Sequence, residues 1–340
     1  MGVMIQGFYW DCPQEEHLVE QWWIHLRGKI PLLKQAGFSG LWLPPASKAD
    51  YRLGMGYDPF DFFDLGEFDQ RGGVATGFGT RQQLEELIGE CHRHNLQVYA
   101  DVVYNHCSGG GLEQNPFTNS QYYTKFQPAS GQFPRDYSCF NPSQYESYDG
   151  HARFGGYPDL CHRNPDVYRW LLKHACFLIE EIGFDGFRFD LVKGYGGWIL
   201  TALLEYRYQP KDGRRNAVDK GWEYFRPFGF GESWSSHREI KEWLDEVNSW
   251  SDNPVSAFDF PLRYRLKDLC DRYQFDLSDL VQPGALILDR PFHAVTFADN
   301  HDFRDNNNQP IYSDKMLAYA FILTHPGYPC IFWKDYFTYN

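Results

Sequence analysis

Residues 164–190 read NPDVYRWLLKHACFLIEEIGFDGFRFD, a helix punctuated at both ends and then a strand. Asn164 occupies an N-cap position with Pro165 in the first turn, Val167, Trp170, Leu171, Phe177 and Leu178 recur at helical spacing, and Gly183 marks the exit. In the strand that follows, side chains alternate, so Arg188 and Asp190 project to one face while Phe187 and Phe189 project to the other. A guanidinium two residues before a carboxylate is aimed at the same volume. Burial of such a pair is weakly rewarded, because desolvation offsets much of the Coulombic gain, so the pattern is either a salt bridge tying a strand end or part of a site.

The same helix-to-strand grammar extends outward. Apolar stretches at 3–9, 38–43, 97–103, 184–190, 228–231, 256–260, 293–298 and 329–333 read as eight strands. Between them lie amphipathic helices: one from Thr80 with Gln83 as a capping box, one from Ser236 with Glu239 three residues on, and one from Asp314 to Pro326-Gly327. Strict alternation with eight strands predicts an α/β fold, a closed (β/α)8 TIM barrel. The stretch between Val103 and Asn164, rich in Gly, Pro, Asn, Ser and Tyr, is too long for an ordinary loop and reads as a small inserted domain after the third strand. The expected organisation is barrel over 1–106, insertion over 107–160 and barrel again over 161–340, with the eighth helix and any C-terminal β domain absent from this chain.

Composition narrows the function classes. The 340 residues, 43% hydrophobic and 18% aromatic, suffice for a large core without disulfides or structural metal. A net charge of −13 argues against nucleic acid and anionic membrane surfaces as partners. No run approaches the roughly 18 apolar residues of a membrane span. The N-terminus lacks a basic segment and a small-residue cleavage site, which predicts a cytoplasmic protein, or a secreted one whose signal peptide has been removed. The eight cysteines show no CxxC spacing, so free thiols are expected, with Cys139–Cys161 pairing open to an exported protein.

Barrel chemistry sits at the C-terminal strand ends. Those ends collect Asp101, Asn105 and His106, then Arg188, Asp190 and Lys193, then Glu232, then Asp299, Asn300, His301 and Asp302. Singly, each has a bland reading: Asp101 as a structural acceptor, Asn105 as a turn cap, Glu232 as a helix-start acid. Converging carboxylates repel one another, so fold stability alone does not account for the set.

Four segments, DVVYNH (101–106), GFRFDLVKG (186–194), GFGESW (229–234) and FADNHD (297–302), resemble the signature regions of the α-amylase family of glycoside hydrolases, in the family's order. LWLPPASK (41–48), GYDPFDFFDLGEF (56–68) and GTRQQLEELI (79–88) extend the resemblance over nearly the whole chain, nearest to bacterial and plant α-amylases and maltooligosaccharide-forming amylases. The resemblance implies that Asp190 is the nucleophile, Glu232 the general acid/base and Asp302 the third carboxylate. It further implies that Tyr57, His106, Arg188, Lys193 and His301 contact sugar, with Trp10, Trp234 and Phe154 as further aromatic candidates. Arg188 should hold Asp190 ionised, and Asp302 should raise Glu232. A calcium ion is implied on Asn105, Asp159 and the Gly194 carbonyl, with Asp149 in addition. Phe303 and Ser233 depart from the family pattern beside the acids.

The expected activity is endo-hydrolysis of α-1,4-glucosidic bonds in starch, glycogen and maltooligosaccharides, with retention, by a monomer whose partner is the α-glucan. An exo-acting or transglycosylating enzyme of the same family is the first alternative. A non-catalytic glycan-binding relative is the second.

Overall fold

The computed structural model describes residues 2–145, 154–213, 224–249, 251–272, 274–304 and 309–338. Eight parallel strands close into a barrel: β1 Met4–Gln6, β2 Gly40–Leu43, β3 Gln97–Val102, β4 Gly186–Phe189, β5 Phe228–Gly231, β6 Ser256–Phe258, β7 Ala294–Phe297 and β8 Tyr328–Phe332. Each pairs with its sequence neighbours, and β8 closes on β1 through Met4↔Cys330 and Gln6↔Phe332. The (β/α)8 expectation and all eight strand positions hold.

Helices wrap the outside: α1 Trp22–Gln35, α2 Arg81–Arg93, α3 Pro165–Cys176, α4 Gly197–Leu204, α5 His237–Asn248, α6 Phe260–Asp271 and α7 Lys315–Thr324. Both capping boxes form, so Thr80 with Gln83 and Ser236 with Glu239 satisfy amides that α2 and α5 would otherwise leave bare. Asn164 accepts from the Asp166 amide at the start of α3. That helix continues through a π-helical turn, Phe177–Ile182, before Gly183 at φ 108° delivers the chain into β4. Glycine is needed there, since a Cβ would strain this left-handed turn.

One expectation needs correction: the segment after β8 carries a short helix, Trp333–Thr338, where none was expected. α7 starts at Asp314 as expected, with φ 41° at that residue and no side-chain cap.

Between β3 and α3 lie an antiparallel hairpin, Gly111–Asn115 with Ser120–Lys125, and a short pair, Phe140–Asn141 with Asp159–Leu160. The segment is tied down at several points. Cys107 N donates to Pro158 O and Leu160 N to Asn105 O, while Asp61 accepts from both the amide and the hydroxyl of Ser130. All eight cysteines are free, Cys139 and Cys161 included. Among the described residues no helix is long and apolar enough to cross a membrane.

Candidate active site

Register places the charges. Arg188 on β4 lies opposite Asp101 on β3, while Asp190 and Glu232 each stand just past the end of β4 and β5. The guanidinium is buried over the Trp42 ring, 5.2 Å away, where Trp42 also packs on Phe230 and Phe258 inside the barrel. It serves three carboxylates. Arg188 Nη1 donates to Asp101 at 2.8 and 3.1 Å and to Asp190 Oδ1 at 2.7 Å, while Nη2 meets Glu232 Oε2 at 3.0 Å. The opening pair is therefore neither a simple salt bridge nor a pair: it is the hub of a buried cluster.

Asp101 has a larger part than a structural acceptor. It also accepts from Tyr57 OH at 2.8 Å and Trp42 Nε1 at 3.1 Å, so it orients an aromatic of the cleft as well as the arginine. Its place opposite Arg188 in the β3–β4 register gives it this part.

Burial dominates the acidities. Desolvation pushes Glu232 up to about 8, with Arg188 pulling it down and Asp190 and Asp302 adding to the rise. The expectation for Glu232 held in direction, with burial as the main cause. For Asp190 it did not: desolvation outweighs the arginine and raises it to about 6, and the nearby Asp101 charge adds to that. Arg188 divides its field among three anions, so none receives all of it. The order of the two carboxyls nevertheless leaves Asp190 the stronger acid.

Asp302 sits at the rim, its side chain 22% exposed, 3.5 Å from His301 Nε2 and 3.7 Å from Arg304 Nη1. His301 Nδ1 faces the Gln6 amide nitrogen at 2.8 Å, which makes Nδ1 the acceptor and leaves the proton on Nε2, toward Asp302. Its ring lies parallel to Tyr57 at 5.1 Å and to Trp10 at 6.2 Å, and the Arg304 guanidinium lies 3.8 Å from the Trp10 ring centre. His106 Nε2 donates to Tyr57 O at 2.8 Å, and its ring stacks on Phe154 and Tyr157. Burial lowers both histidines to about 4, so both are neutral hydrogen-bonding groups near pH 7. Gln6 and Arg304 were not singled out in the sequence; neither has a periodicity or motif that marks it.

Lys193 reaches across to the Trp234 carbonyl at 2.7 Å. Trp234 stacks on Phe260 at 4.9 Å and donates to Tyr264 OH. Ser233 and Phe303 are both buried, and Phe303 packs between Trp234 and the Arg263 guanidinium. Asp299 stands apart from the cluster. It pairs with Arg263 at 2.6 Å and Lys315 at 2.8 Å, holding α6 and α7 against the β7 end.

Of the expected metal ligands, Asn105 and Asp159 lie on adjoining chain segments, joined by a bridge between His106 and Asp159. Asp159 Oδ2 accepts from Asn141 Nδ2 at 3.0 Å. Gly194 ends the 3-10 turn after Asp190 and is buried. Asp149 lies outside the described residues. Among the described residues no three His, Cys, Asp or Glu side chains cluster as a metal site.

A barrel with this buried acid cluster has known counterparts. Residues 25–258 match the model of the alpha amylase catalytic domain. The chain is 30% identical over 99% of its length to an alpha-amylase of Geobacillus stearothermophilus, spanning 66% of that protein. It is 28% identical, again over 99%, to a glucan 1,4-alpha-maltohexaosidase of Bacillus sp. (strain 707), spanning 71% of it. The crystal structure of an Anoxybacillus alpha-amylase superposes with a TM-score of 0.64 at 21% identity, covering 98% of this chain and 70% of the other, and so shares the fold. With a family match over most of the barrel, the chain belongs to the α-amylase family of glycoside hydrolases.

Proposed function

We propose that this protein hydrolyses internal α-1,4-glucosidic bonds of starch, glycogen and maltooligosaccharides with retention, Asp190 acting as nucleophile, Glu232 as acid/base and Asp302 as the third carboxylate. The observation that carries the reading is the geometry around Arg188: one buried guanidinium lies 2.7 Å from Asp190 Oδ1 and 3.0 Å from Glu232 Oε2, so the two carboxyls face one volume at the strand ends. Burial raises both and Glu232 the further, the order a double displacement requires of nucleophile and acid.

Arg188 occupies Asp190 Oδ1, which leaves Oδ2 to attack the anomeric carbon. Glu232 gives its proton to the departing glycosidic oxygen, then as a carboxylate takes one from the water that hydrolyses the glycosyl-enzyme. Asp302 grips the sugar hydroxyls and offsets positive charge at the anomeric carbon. His106 and His301, both neutral, bond hydroxyls of the same sugar. Tyr57, fixed by Asp101, stacks on it, and Lys193 reaches the next sugar on the leaving-group side.

Calcium suits the donors available: the Asn105 amide, the Asp159 carboxylate and the Gly194 carbonyl are hard oxygens. Bound there, the ion supplies charge that ties the 107–160 insertion to the barrel. The eight free thiols fit a reducing compartment, so we place the enzyme in the cytoplasm, as a monomer without nucleic-acid or membrane partners.

Products from amylose and maltoheptaose test the reading. Mixed short oligosaccharides appearing early support endo action. A single dominant product would favour the exo-acting alternative that the likeness to a maltohexaosidase suggests. Glu232→Gln should abolish hydrolysis and keep oligosaccharide binding; unchanged turnover would overturn the assignment, and binding without turnover in the parent chain would favour the glycan-binding relative.

A further inference from the structure

We propose that Leu191 is a positioning residue whose main-chain N–H, together with Arg188, makes Glu232 Oε2 an acceptor only and so fixes the acid proton on Oε1. This rests on the acid/base role assigned to Glu232. Leu191 follows Asp190 and adopts φ 44°, ψ 50°, a left-handed conformation that a leucine rarely takes. Strained backbone of this kind persists where the surroundings over-determine it. Here the surroundings are Glu232 itself.

Three main-chain hydrogen bonds tie that residue to the β4 end. Glu232 N donates to Phe189 O at 2.9 Å, Val192 N to Glu232 O at 3.3 Å, and Leu191 N, turned out of the ladder by its left-handed φ, to Glu232 Oε2 at 3.0 Å. Arg188 Nη2 reaches the same oxygen at 3.0 Å. One amide donor and an adjoining guanidinium charge at Oε2 disfavour a proton there. Among the described residues nothing bonds Oε1. The charged groups facing this carboxyl are Arg188 and Asp190 from the β4 end, Asp101 from β3 and Asp302 from the β7 end.

The consequence is directional. The Oε1–H proton passes to the glycosidic oxygen as the C1–O bond breaks and Asp190 Oδ2 bonds to C1. The negative charge left on Glu232 concentrates on Oε2, where the Leu191 amide points and the guanidinium lies. Leu191 thus favours the ionised product of the proton transfer.

The test replaces Leu191 by its α-hydroxy acid, which keeps the side chain and removes the N–H. The Glu232 carboxyl is followed by infrared difference against Glu232→Gln. Its titration midpoint should rise by about one pH unit, and the basic limb of kcat/KM should follow. Cleavage of α-maltosyl fluoride, whose leaving group needs no proton, should fall less than cleavage of maltotriose. Leu191→Gly, which retains the N–H and relieves the backbone, should leave the midpoint in place. An unmoved midpoint in the ester variant, or an equal shift in Leu191→Gly, overturns the inference. Should the ester variant fail to fold, the parent decides: a protonated carbonyl stretch at low frequency fits an Oε2 that accepts beside the guanidinium, and a stretch near that of an unbonded acid refutes it. The infrared readings do not depend on turnover, so they separate this inference from the proposed function.

Discussion

Glu232→Gln should stabilise the fold, and by more as the pH rises. The parent must hold a carboxyl in a site that burial makes hostile to its charge, with its pKa raised from 4.5 to about 8. A group raised on folding contributes stability that is fully present below its unfolded value and lost as the pH climbs toward the folded one. Against a neutral amide, the parent is therefore level near pH 4, falls behind by about 3 kcal/mol at pH 7, and reaches a plateau near 5 kcal/mol above pH 8. These are upper bounds, because Asp190 draws on the same guanidinium and relaxes when Glu232 ionises. The amide fits the geometry: its oxygen takes the place of Oε2 beneath Arg188 and Leu191, and its NH2 takes the place of the Oε1 hydroxyl. Thermal unfolding of parent and variant from pH 4 to 9 measures the gap. A gap that is flat or narrows as the pH rises would refute the claim that burial sets this acidity.

Asp101→Asn should move the acid limb of kcat/KM down by about one pH unit, since a like charge that raises Asp190 is gone and Arg188 turns more of its field on Asp190. A pH profile checks it, and an upward move would contradict the shared-arginine picture. Gly186→Ala should unfold the barrel or abolish soluble expression, because the new Cβ would collide with the Phe228 backbone in the β4–β5 ladder; circular dichroism reports it. Thr80→Ala should cost about 1 kcal/mol in denaturant unfolding and leave kcat unchanged, as it removes only the α2 cap, far from the acids. Chelation with EDTA should lower Tm, with recovery on added Ca2+ and not on Mg2+, and the amylolytic pH optimum should stay where it is.

The fold was legible because local signals agreed with the global one. Asn164 with Pro165, Thr80 with Gln83 and Gly183 each fix a boundary through one or two hydrogen bonds or one backbone angle, and such effects are local enough to be read from spacing. α7 starts at Asp314 as the sequence suggested, but Asp314 adopts a left-handed φ and makes no side-chain cap, a backbone choice that no dipeptide pattern reveals. In the site, period two in β4 placed Arg188 and Asp190 on one face, but the assignment of Asp101 to a merely structural role missed that β3 and β4 are neighbours in register. Leu191 was invisible, since what it contributes is an amide and a φ angle, neither of which residue type encodes.

The acidities show where a sequence argument stops. Reasoning from charges alone, an arginine beside an aspartate lowers its pKa. In the folded barrel the same arginine is divided among Asp101, Asp190 and Glu232, and desolvation, which acts on all of them, exceeds what any one receives. What distinguishes the two reacting carboxyls is then geometry: Asp190 shares the near nitrogen of the guanidinium with Asp101 at 2.7 Å, while Glu232 meets the far one and borrows a backbone amide to complete its shell. A single buried cation too few for its anions keeps one proton in the cluster at neutral pH, and retaining hydrolysis consumes a proton of that kind.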